Sequence, residues 1–278
     1  MSKDNVDTPT YNAISICSGY GGIELGLREV VPATTVCYVE IEVSAAAILA
    51  ARMEDQRISP APIWTDINTF DFEAWRGVEG IAGGYPCTPF NFGGARLGAA
   101  DPRHLWPSIA RGIQTIKPIW CFFENVNAHL RYGFSTVAKE LHGMGYLVAA
   151  TLVKASDVGA PHKRERLFIL GVQKKIMDDT DRNGRRQKTL GVISSTSRPK
   201  RLLDFSVTYP PRPENKEWET VSTHLQPSLS KSELYRMDDG LGYRVDLSRQ
   251  DRIRIIGNGV IPDQAAYAWR ELWRELLW

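Results

Sequence analysis

A cysteine held between two prolines is the residue of this sequence best suited to covalent chemistry. Cys87 lies within residues 83–91, GGYPCTPFN, directly after a short apolar segment that predicts a strand. A thiolate is a strong nucleophile, and open parallel sheets bind ligands at the ends of their strands. Most cysteines are buried and inert. A Pro-Cys-Xaa-Pro run in a glycine-rich frame is nevertheless unusual enough to favour a chemical role for Cys87.

Two further motifs offer the polar groups that such a nucleophile would need. Glu124 closes another apolar segment, in the run Phe-Glu-Asn-Val, where a carboxyl can pair with the edge of a nucleobase or transfer a proton. Arg164 and Arg166 enter a later apolar strand, whose alternation places both on one face. Paired guanidinium groups can bind a phosphate and a base carbonyl. Two arginines taken alone are more typical of a solvated edge strand.

A third group of residues is typical of a nucleoside cofactor site. Residues 18–22, SGYGG, follow a strand and precede a helix, where glycines allow the backbone to approach a ligand. Glu40 ends the second strand, and a carboxyl there can accept hydrogen bonds from ribose hydroxyls. Asp66 is the next acidic landmark and can face an adenine amino group. Each feature alone is weak, but three at successive strand ends together indicate a cofactor.

The elements that must position these residues alternate between strands and helices. The sequence predicts strands at Tyr11–Cys17, Thr34–Val39, Gly80–Ala82, Ile119–Phe123, Leu147–Val153 and Arg166–Val172. It predicts helices at Gly22–Val31, Val43–Met53, Leu105–Ile116, Ser135–Met144 and Pro262–Trp278. Such alternation predicts an α/β fold with a doubly wound, mainly parallel sheet. Regular structure is expected to resume near Ser248, after an irregular stretch.

That irregular stretch carries most of the local charge imbalance. The 278 residues are 43% hydrophobic and 24% charged with a net charge of +2, which is ordinary for a globular protein. Residues 174–201, however, contain nine Lys and Arg against three Asp. Such a run either follows a phosphate backbone or forms a solvated loop. Because residues 174–233 show no clear periodicity, we predict a small, irregular second lobe there.

Cysteine use and the N-terminus indicate a reducing, cytoplasmic location. The four cysteines are far apart and form no Cys-Xaa-Xaa-Cys pair, so the sequence predicts neither a zinc site nor a disulfide framework. The first residues show no signal-peptide pattern, and no apolar run approaches the length of a membrane span. We therefore expect no metal and no membrane partner.

Taken together, the motifs resemble those of the DNA cytosine-5 methyltransferase family. The resemblance covers roughly residues 11–171 and 248–275. The order matches: the glycine turn, Glu40, Asp66, the Pro-Cys motif at 86–90, the Glu-Asn-Val motif at 124–126, the two arginines, and the run GNGVIP at 257–262. Four positions differ from residues common in the family: Cys17 replaces Phe, Thr88 replaces Gln, Asn91 replaces Ser and His162 replaces Gln.

The resemblance implies an enzyme that uses S-adenosylmethionine, releases S-adenosylhomocysteine and needs no metal. Its catalytic residues would be Cys87, Glu124, Arg164 and Arg166. Its cofactor-binding residues would be Cys17, Ser18, Gly19, Tyr20, Gly21, Gly22, Ile23, Glu40, Ile41, Asp66, Ile67, Gly84, Pro86, Asn258, Gly259 and Val260. It also implies a cofactor-binding and catalytic domain at 11–173, a target-recognition region at 174–240, and a C-terminal segment at 241–278 that returns to the catalytic domain.

The family chemistry assigns a role to each catalytic residue. Cys87 would attack C6 of a cytosine flipped out of double-stranded DNA, and Glu124 would stabilise protonation at N3. Arg166 would bind the O2 carbonyl, while Arg164 would support the loop and a phosphate. We expect a monomer of bacterial or phage origin, with no obligate protein partner. The family also allows a cognate restriction endonuclease encoded alongside it.

Three alternatives stay open at this point. The first is the same chemistry on transfer RNA, against which the sequence argues only weakly. The second is a catalytically inactive DNA-binding relative, which the retention of the cysteine, the glutamate and both arginines disfavours. The third is a nicotinamide dehydrogenase on a similar sheet, in which the Pro-Cys and Glu-Asn-Val motifs would have no role.

Overall fold

The computed structural model describes residues 11–87, 105–160, 162–176 and 248–277. The strands are β1 (Tyr11–Ile16), β2 (Ala33–Val39), β3 (Ile63–Trp64), β4 (Gly80–Gly83), β5 (Trp120–Val126), β6 (Tyr146–Lys154) and β7 (Glu165–Gln173). The α-helices are α1 (Gly22–Leu27), α2 (Val43–Glu54), α3 (Trp106–Ile116), α4 (His129–Tyr132), α5 (Phe134–Gly143), α6 (Arg249–Asn258) and α7 (Pro262–Leu277). None of the helices in these ranges is long and apolar enough to cross a membrane.

The strands form one sheet in the order β3-β2-β1-β4-β5-β7-β6. The pairs from β3 to β5 are parallel, whereas β7 runs antiparallel to both β5 and β6. Because β1 pairs with β2 on one side and β4 on the other, the strand order reverses there. Sheets of this kind bind ligands outside the carboxyl ends of the strands at such a reversal. The predicted doubly wound, mainly parallel sheet is confirmed.

Alternation along β5 shows how the sheet divides the hydrophobic core into two layers. Trp120 and Phe122 face the layer that contains α1 and α7, where both rings pack edge-on against Trp269 at centroid distances of 5.1 and 5.2 Å. Cys121 and Phe123 face the opposite layer, which α3 and α5 cover. Since both faces are covered, central strands of this sheet are apolar almost throughout. This burial explains their continuous apolar runs in the sequence.

Most predicted elements are present, but their boundaries differ from the prediction. The predicted helix Gly22–Val31 is too long, because α1 ends at Leu27. There the amides of Val30 and Val31 both donate to the Leu27 carbonyl, at 2.9 and 2.8 Å, and the chain turns away. The sequence analysis missed β3, which is only two residues long. The region after Ser248 contains α6, whose N-cap Ser248 accepts a hydrogen bond from the amide of Asp251 at 3.1 Å, while the predicted irregular stretch before it lies almost wholly outside the described residues.

Glycines in α1 allow the C-terminal segment to pack closely against it. A Cβ at Gly26 would lie 2.2 Å from the carbonyl oxygen of Pro262 and 2.9 Å from Cβ of Ala265. A Cβ at Gly22 would lie 2.1 Å from the carbonyl oxygen of Val260. Any larger residue at either position would push α1 and the start of α7 apart. The glycines of the first motif therefore serve packing as well as the turn.

We predict that Gly26→Ala destabilises the protein by about 1–3 kcal/mol, the usual cost of overpacking. Gly143→Ala is the matched control, because Gly143 also lies in a helix but a Cβ there would meet nothing within 4 Å. That control should leave stability unchanged or raise it by up to about 1 kcal/mol through helix propensity. Urea unfolding of both variants gives the comparison, and equal stabilities would contradict the close contact.

Candidate active site

The predicted nucleophile lies just beyond the carboxyl end of β4. Cys87 is partly buried, and burial raises the pKa of its thiol above the usual value. Its Sγ lies 3.7 Å from Nδ1 of His129 on α4. The neighbouring strand β5 carries Glu124, and a Cβ at Gly84 would lie 3.0 Å from Oε2 of that carboxyl. Parallel pairing of β4 and β5 therefore brings the Pro-Cys and Glu-Asn-Val motifs to one edge of the sheet.

Glu124 is buried and forms an ion pair with Arg166. Nε of Arg166 donates to Oε1 of Glu124 at 2.7 Å, and the two side chains are only 15% and 6% exposed. Burial raises the pKa of Glu124 to about 7, and the positive charges of Arg166 and Arg164 oppose that rise. A carboxyl with a pKa near neutrality can hold or release a proton at working pH. The pair is therefore suited to general acid and base chemistry.

Arg164 binds the backbone of the C-terminal segment. Nη1 donates to the carbonyl of Ile256 at 2.5 Å, and Nη2 donates to the carbonyls of Gly257, at 3.0 Å, and Gly259. Nη2 of Arg166 also donates to the Gly257 carbonyl, at 3.2 Å, so both guanidinium groups reach the same atom. This agrees with the expected common face of the two arginines. The resemblance implied that Arg164 supports a loop, and in the structure Arg164 contacts the backbone within residues 256–259 directly.

The glycine turn has the backbone strain of a binding site. Cys17, Gly19 and Gly21 all have positive φ, at 48°, 55° and 82°, and such a conformation is rare for a cysteine. The amide of Gly19 donates to Oε2 of Glu40 at 2.6 Å, and the amide of Glu42 donates to Oε1 at 2.8 Å. Burial raises the pKa of Glu40, against the opposing effect of these backbone hydrogen bonds. Glu40 is thereby fixed beside the turn at the end of β2.

Residues from both ends of the chain complete this region. The hydroxyl of Tyr20 donates to the carbonyl of Val260 at 2.6 Å, and a Cβ at Gly259 would overlap the Tyr20 ring. Ile41 is 68% exposed next to Glu40. An acidic group, an exposed apolar side chain and an open glycine turn together fit a nucleoside-like cofactor. In the ranges that the structure describes, no group of three or more His, Cys, Asp or Glu is arranged to hold a metal ion.

Most of the sequence-predicted residues within the described ranges lie at the strand ends, and a few lie apart from them. Ser18, Gly22 and Ile23 lie in or directly after the glycine turn and are buried. Asp66 accepts a hydrogen bond from the amide of Asn68 at 2.9 Å, beyond β3. The side chain of Ile67 is buried in the core, so only its backbone is left for a ligand. Pro86 and Asn258 are exposed, whereas Thr88 and Asn91 lie outside the described residues.

Sequence reasoning missed Tyr85 and His129. The Tyr85 hydroxyl lies 2.9 Å from Nε2 of His129, and both side chains are buried. It also missed Glu24, whose carboxyl is buried 2.5 Å from the Ser15 hydroxyl and whose pKa burial raises to about 7. The available signal was position, because Tyr85 lies inside the Pro-Cys motif, Glu24 follows the glycine turn by two residues, and His129 follows the Glu-Asn-Val motif by three residues.

The sheet order defines a doubly wound α/β protein whose sequence-predicted site residues lie largely at the strand ends. The family model of C-5 cytosine-specific DNA methylases matches residues 11–250. The chain therefore belongs to the C-5 cytosine-specific DNA methylase family. The fold is also similar to that of the S. pombe Dnmt2 methyltransferase, with a TM-score of 0.62 at 14% identity, covering 96% of this chain and all of that one.

This chain matches only part of the length of the individual relatives that it resembles. Type II methyltransferase M.NgoMIV of Neisseria gonorrhoeae is 30% identical over 190 residues, which are 66% of this chain. Type II methyltransferase M.CviJI of Paramecium bursaria Chlorella virus IL3A is 26% identical over 271 residues, which are 95% of this chain. In both cases the match spans 59% of the relative.

Replacing Arg164 should loosen the C-terminal segment. Lysine keeps the charge of Arg164 but lacks the planar group that reaches three carbonyls at once. We predict that Arg164→Lys speeds amide hydrogen exchange in residues 256–260 and lowers stability by at least about 1.5 kcal/mol, the value of one charged hydrogen bond. Arg274→Lys is the control, because Arg274 is 63% exposed and pairs only with Glu271 among the described contacts. Equal exchange in both variants would contradict the proposed anchoring.

Proposed function

We propose that this protein transfers a methyl group from S-adenosylmethionine to C5 of a flipped cytosine in double-stranded DNA. Membership of the family supports the reaction class, and the type II methyltransferases that the chain resembles support DNA as the substrate. The observation that carries the proposal is the buried Glu124–Arg166 pair at the strand edge that also bears Cys87. No described feature favours RNA over DNA, so the substrate is decided by assay on both polymers.

The thiolate of Cys87 begins the reaction. Its sulfur forms a bond to C6 of cytosine, the electron pair of the C5–C6 double bond shifts to form a C4–C5 double bond, and the pair of the C4–N3 double bond moves to N3, which takes up a proton. The resulting enamine is nucleophilic at C5. When S-adenosylmethionine is bound, it supplies the electrophilic methyl group. Loss of the C5 proton to a base then breaks the bond between sulfur and C6, which restores the aromatic ring and the thiolate. The partly buried position of Cys87 fits a base that enters from outside the sheet edge.

Glu124 and Arg166 control the charge on the ring during this sequence. The raised pKa of Glu124 allows it to carry a proton at neutral pH and to donate it toward N3 as negative charge develops there. We assign the O2 carbonyl to Arg166, whose guanidinium lies beside the same carboxyl. Both groups are held by buried contacts before a base arrives, so little reorganisation is needed. Arg164 acts by fixing residues 256–259 rather than by contacting the ring.

The cofactor residues lie at the reversal of the strand order. We assign the ribose hydroxyls to Glu40 and the adenine to Asp66 and the exposed Ile41. The backbone of the turn at residues 17–22 and the packed residues Gly259 and Val260 line the neighbouring space. Target recognition is assigned to the basic region 174–240, nearly all of which lies outside the described residues.

The first test is loss of the nucleophile. We expect Cys87→Ser to abolish methyl transfer to DNA while S-adenosylmethionine binding is retained, because the hydroxyl is a far weaker nucleophile. The wild-type protein should form a covalent adduct with DNA that carries 5-fluorocytosine, whose C5 cannot lose a proton. Cys37→Ala is the control, since Cys37 is buried in the core, and it should still form the adduct. Wild-type turnover in Cys87→Ser would refute the mechanism.

The second test concerns the proton on Glu124. The reaction needs a protonated Glu124, whose pKa is about 7, and an ionised Cys87, whose pKa lies above the usual thiol value. As pH rises, kcat/KM should increase up to about 7 and then level off, because each gain in thiolate is matched by a loss of protonated carboxyl. Glu124→Gln should be slower by about 100-fold or more.

The same variant also tests the shape of the pH profile. In Glu124→Gln the rate should continue to rise with pH until the thiol is ionised, since the amide does not titrate. Cofactor affinity, measured by calorimetry, should change far less than the rate. Profiles of the same shape in both proteins, or parallel losses of rate and cofactor affinity, would indicate a structural role for Glu124 instead.

A further inference from the structure

A hydrogen-bonded series of three side chains ends on the sulfur of Cys87. Nδ1 of His129 lies 3.7 Å from Sγ, within the range of a hydrogen bond to sulfur. Nε2 of the same ring lies 2.9 Å from the Tyr85 hydroxyl. His129 is only 6% exposed and Tyr85 only 4%, so water does not replace these contacts. Neither residue belongs to the catalytic or cofactor set assigned above.

The neighbouring amide of Asn125 fixes the backbone beside these hydrogen bonds. Oδ1 of Asn125 accepts from the amide of Val126 at 2.9 Å, and Nδ2 donates to the carbonyl of Tyr85 at 3.0 Å. The side chain of Asn125 therefore holds the backbone of Tyr85 in place at the end of β4. A hydroxyl 2.9 Å from Nε2 of His129 is placed to donate its proton to that nitrogen. A neutral imidazole that accepts at Nε2 carries its proton on Nδ1, facing the sulfur.

Packing holds the ring of His129 in this orientation. A Cβ at Gly133 would lie 2.3 Å from Cε1 and 2.5 Å from Nδ1 of the ring, so the ring lies directly against this glycine. The Tyr85 ring packs edge-on against it, at a centroid distance of 5.4 Å and an interplanar angle of 83°. Tyr85 itself packs against Trp106 and Phe123. The ring therefore has little freedom to turn away from Cys87.

We propose that His129, oriented by Tyr85, is a catalytic residue that donates a hydrogen bond from Nδ1 to the Cys87 thiolate. The inference rests on the proposed function, in which that thiolate is the nucleophile. The thiol proton leaves to solvent, and His129 keeps its own proton while the bond from sulfur to C6 forms and later breaks. A charge-assisted hydrogen bond of this kind stabilises the ionised sulfur against the cost of its partial burial.

The charges around the ring agree with a neutral donor rather than a base. Burial lowers the pKa of His129 to about 4, so the ring has little tendency to take up the thiol proton. Among the described residues, the titratable groups that contact it are Tyr85 and Cys87 from the segment after β4. Burial raises the pKa of Tyr85, with a further rise from the charges of Cys87 and Glu124, so the phenol keeps its proton. From α3, Trp106 contributes no charge.

The test measures the pKa of Cys87 in the full chain. Iodoacetamide alkylation is followed across pH, and the Cys87 peptide is quantified by mass spectrometry. We expect His129→Leu to raise the apparent pKa of Cys87 by about one to two units, the equivalent of losing a hydrogen bond to a charged group. His129→Asn should recover much of this shift, because its amide can donate from a position near Nδ1. Tyr85→Phe should raise the pKa of Cys87 by a smaller amount. This change removes the hydroxyl that favours the Nδ1-protonated form of His129 but leaves the imidazole ring in place.

Controls separate this proposal from folding and from the proposed function. His142→Leu replaces an exposed histidine of α5 and should leave the profile unchanged. Cys17 in the same samples serves as a second thiol whose reactivity should not respond, and thermal melting checks folding. An unchanged or lowered Cys87 pKa in His129→Leu, or no recovery in His129→Asn, would overturn the inference. If the shifts occur but the wild-type protein methylates no DNA, the hydrogen bond stands and the proposed function fails.

Discussion

The carboxyl of Glu124 is buried, and the structure around it must place a positive charge beside it. A carboxylate in such a place costs several kcal/mol unless a cation and further hydrogen bonds accompany it. The antiparallel strand β7 meets this need, because its register places Arg166 opposite Val126, from where Nε reaches back to Glu124 at 2.7 Å. A parallel neighbour would have begun at the other end of β5. The beginning of the reversed strand therefore lies beside Glu124.

The same cations connect the site to the end of the chain. Arg164 and Arg166 both donate to the carbonyl of Gly257. Arg164 also donates to the carbonyls of Ile256 and Gly259. Residues 259–260 then pack against Tyr20 in the first glycine turn. A change at β7 would therefore be transmitted to the cofactor region through backbone contacts. The chemistry at Glu124 and the shape of the turn are parts of one network, although the sequence separates them by more than a hundred residues.

Local patterns predicted the parts of this network that local physics decides. Strand and helix alternation gave the sheet class, and strand periodicity placed Arg164 and Arg166 on one face. The contact between Tyr85 and His129 was not predictable, because it joins residues 44 positions apart and depends on how α4 packs over the segment after β4. The burial of Glu24 was equally hidden, since a glutamate in the first turn of a helix ordinarily faces solvent. Pairings between elements require the tertiary structure.

The two buried titratable groups near Cys87 have pKa values shifted in opposite directions, and this difference has a mechanistic consequence. Burial favours the neutral form of both: it raises the pKa of Glu124 to about 7 and lowers that of His129 to about 4. Near neutral pH the site therefore holds the cations Arg166 and Arg164, one half-protonated acid and one neutral donor. A charged imidazole would stabilise the thiolate more strongly but would also lower the nucleophilicity of the sulfur. A neutral donor stabilises the sulfur while leaving it reactive, which suits a nucleophile that must both attack C6 and depart from it.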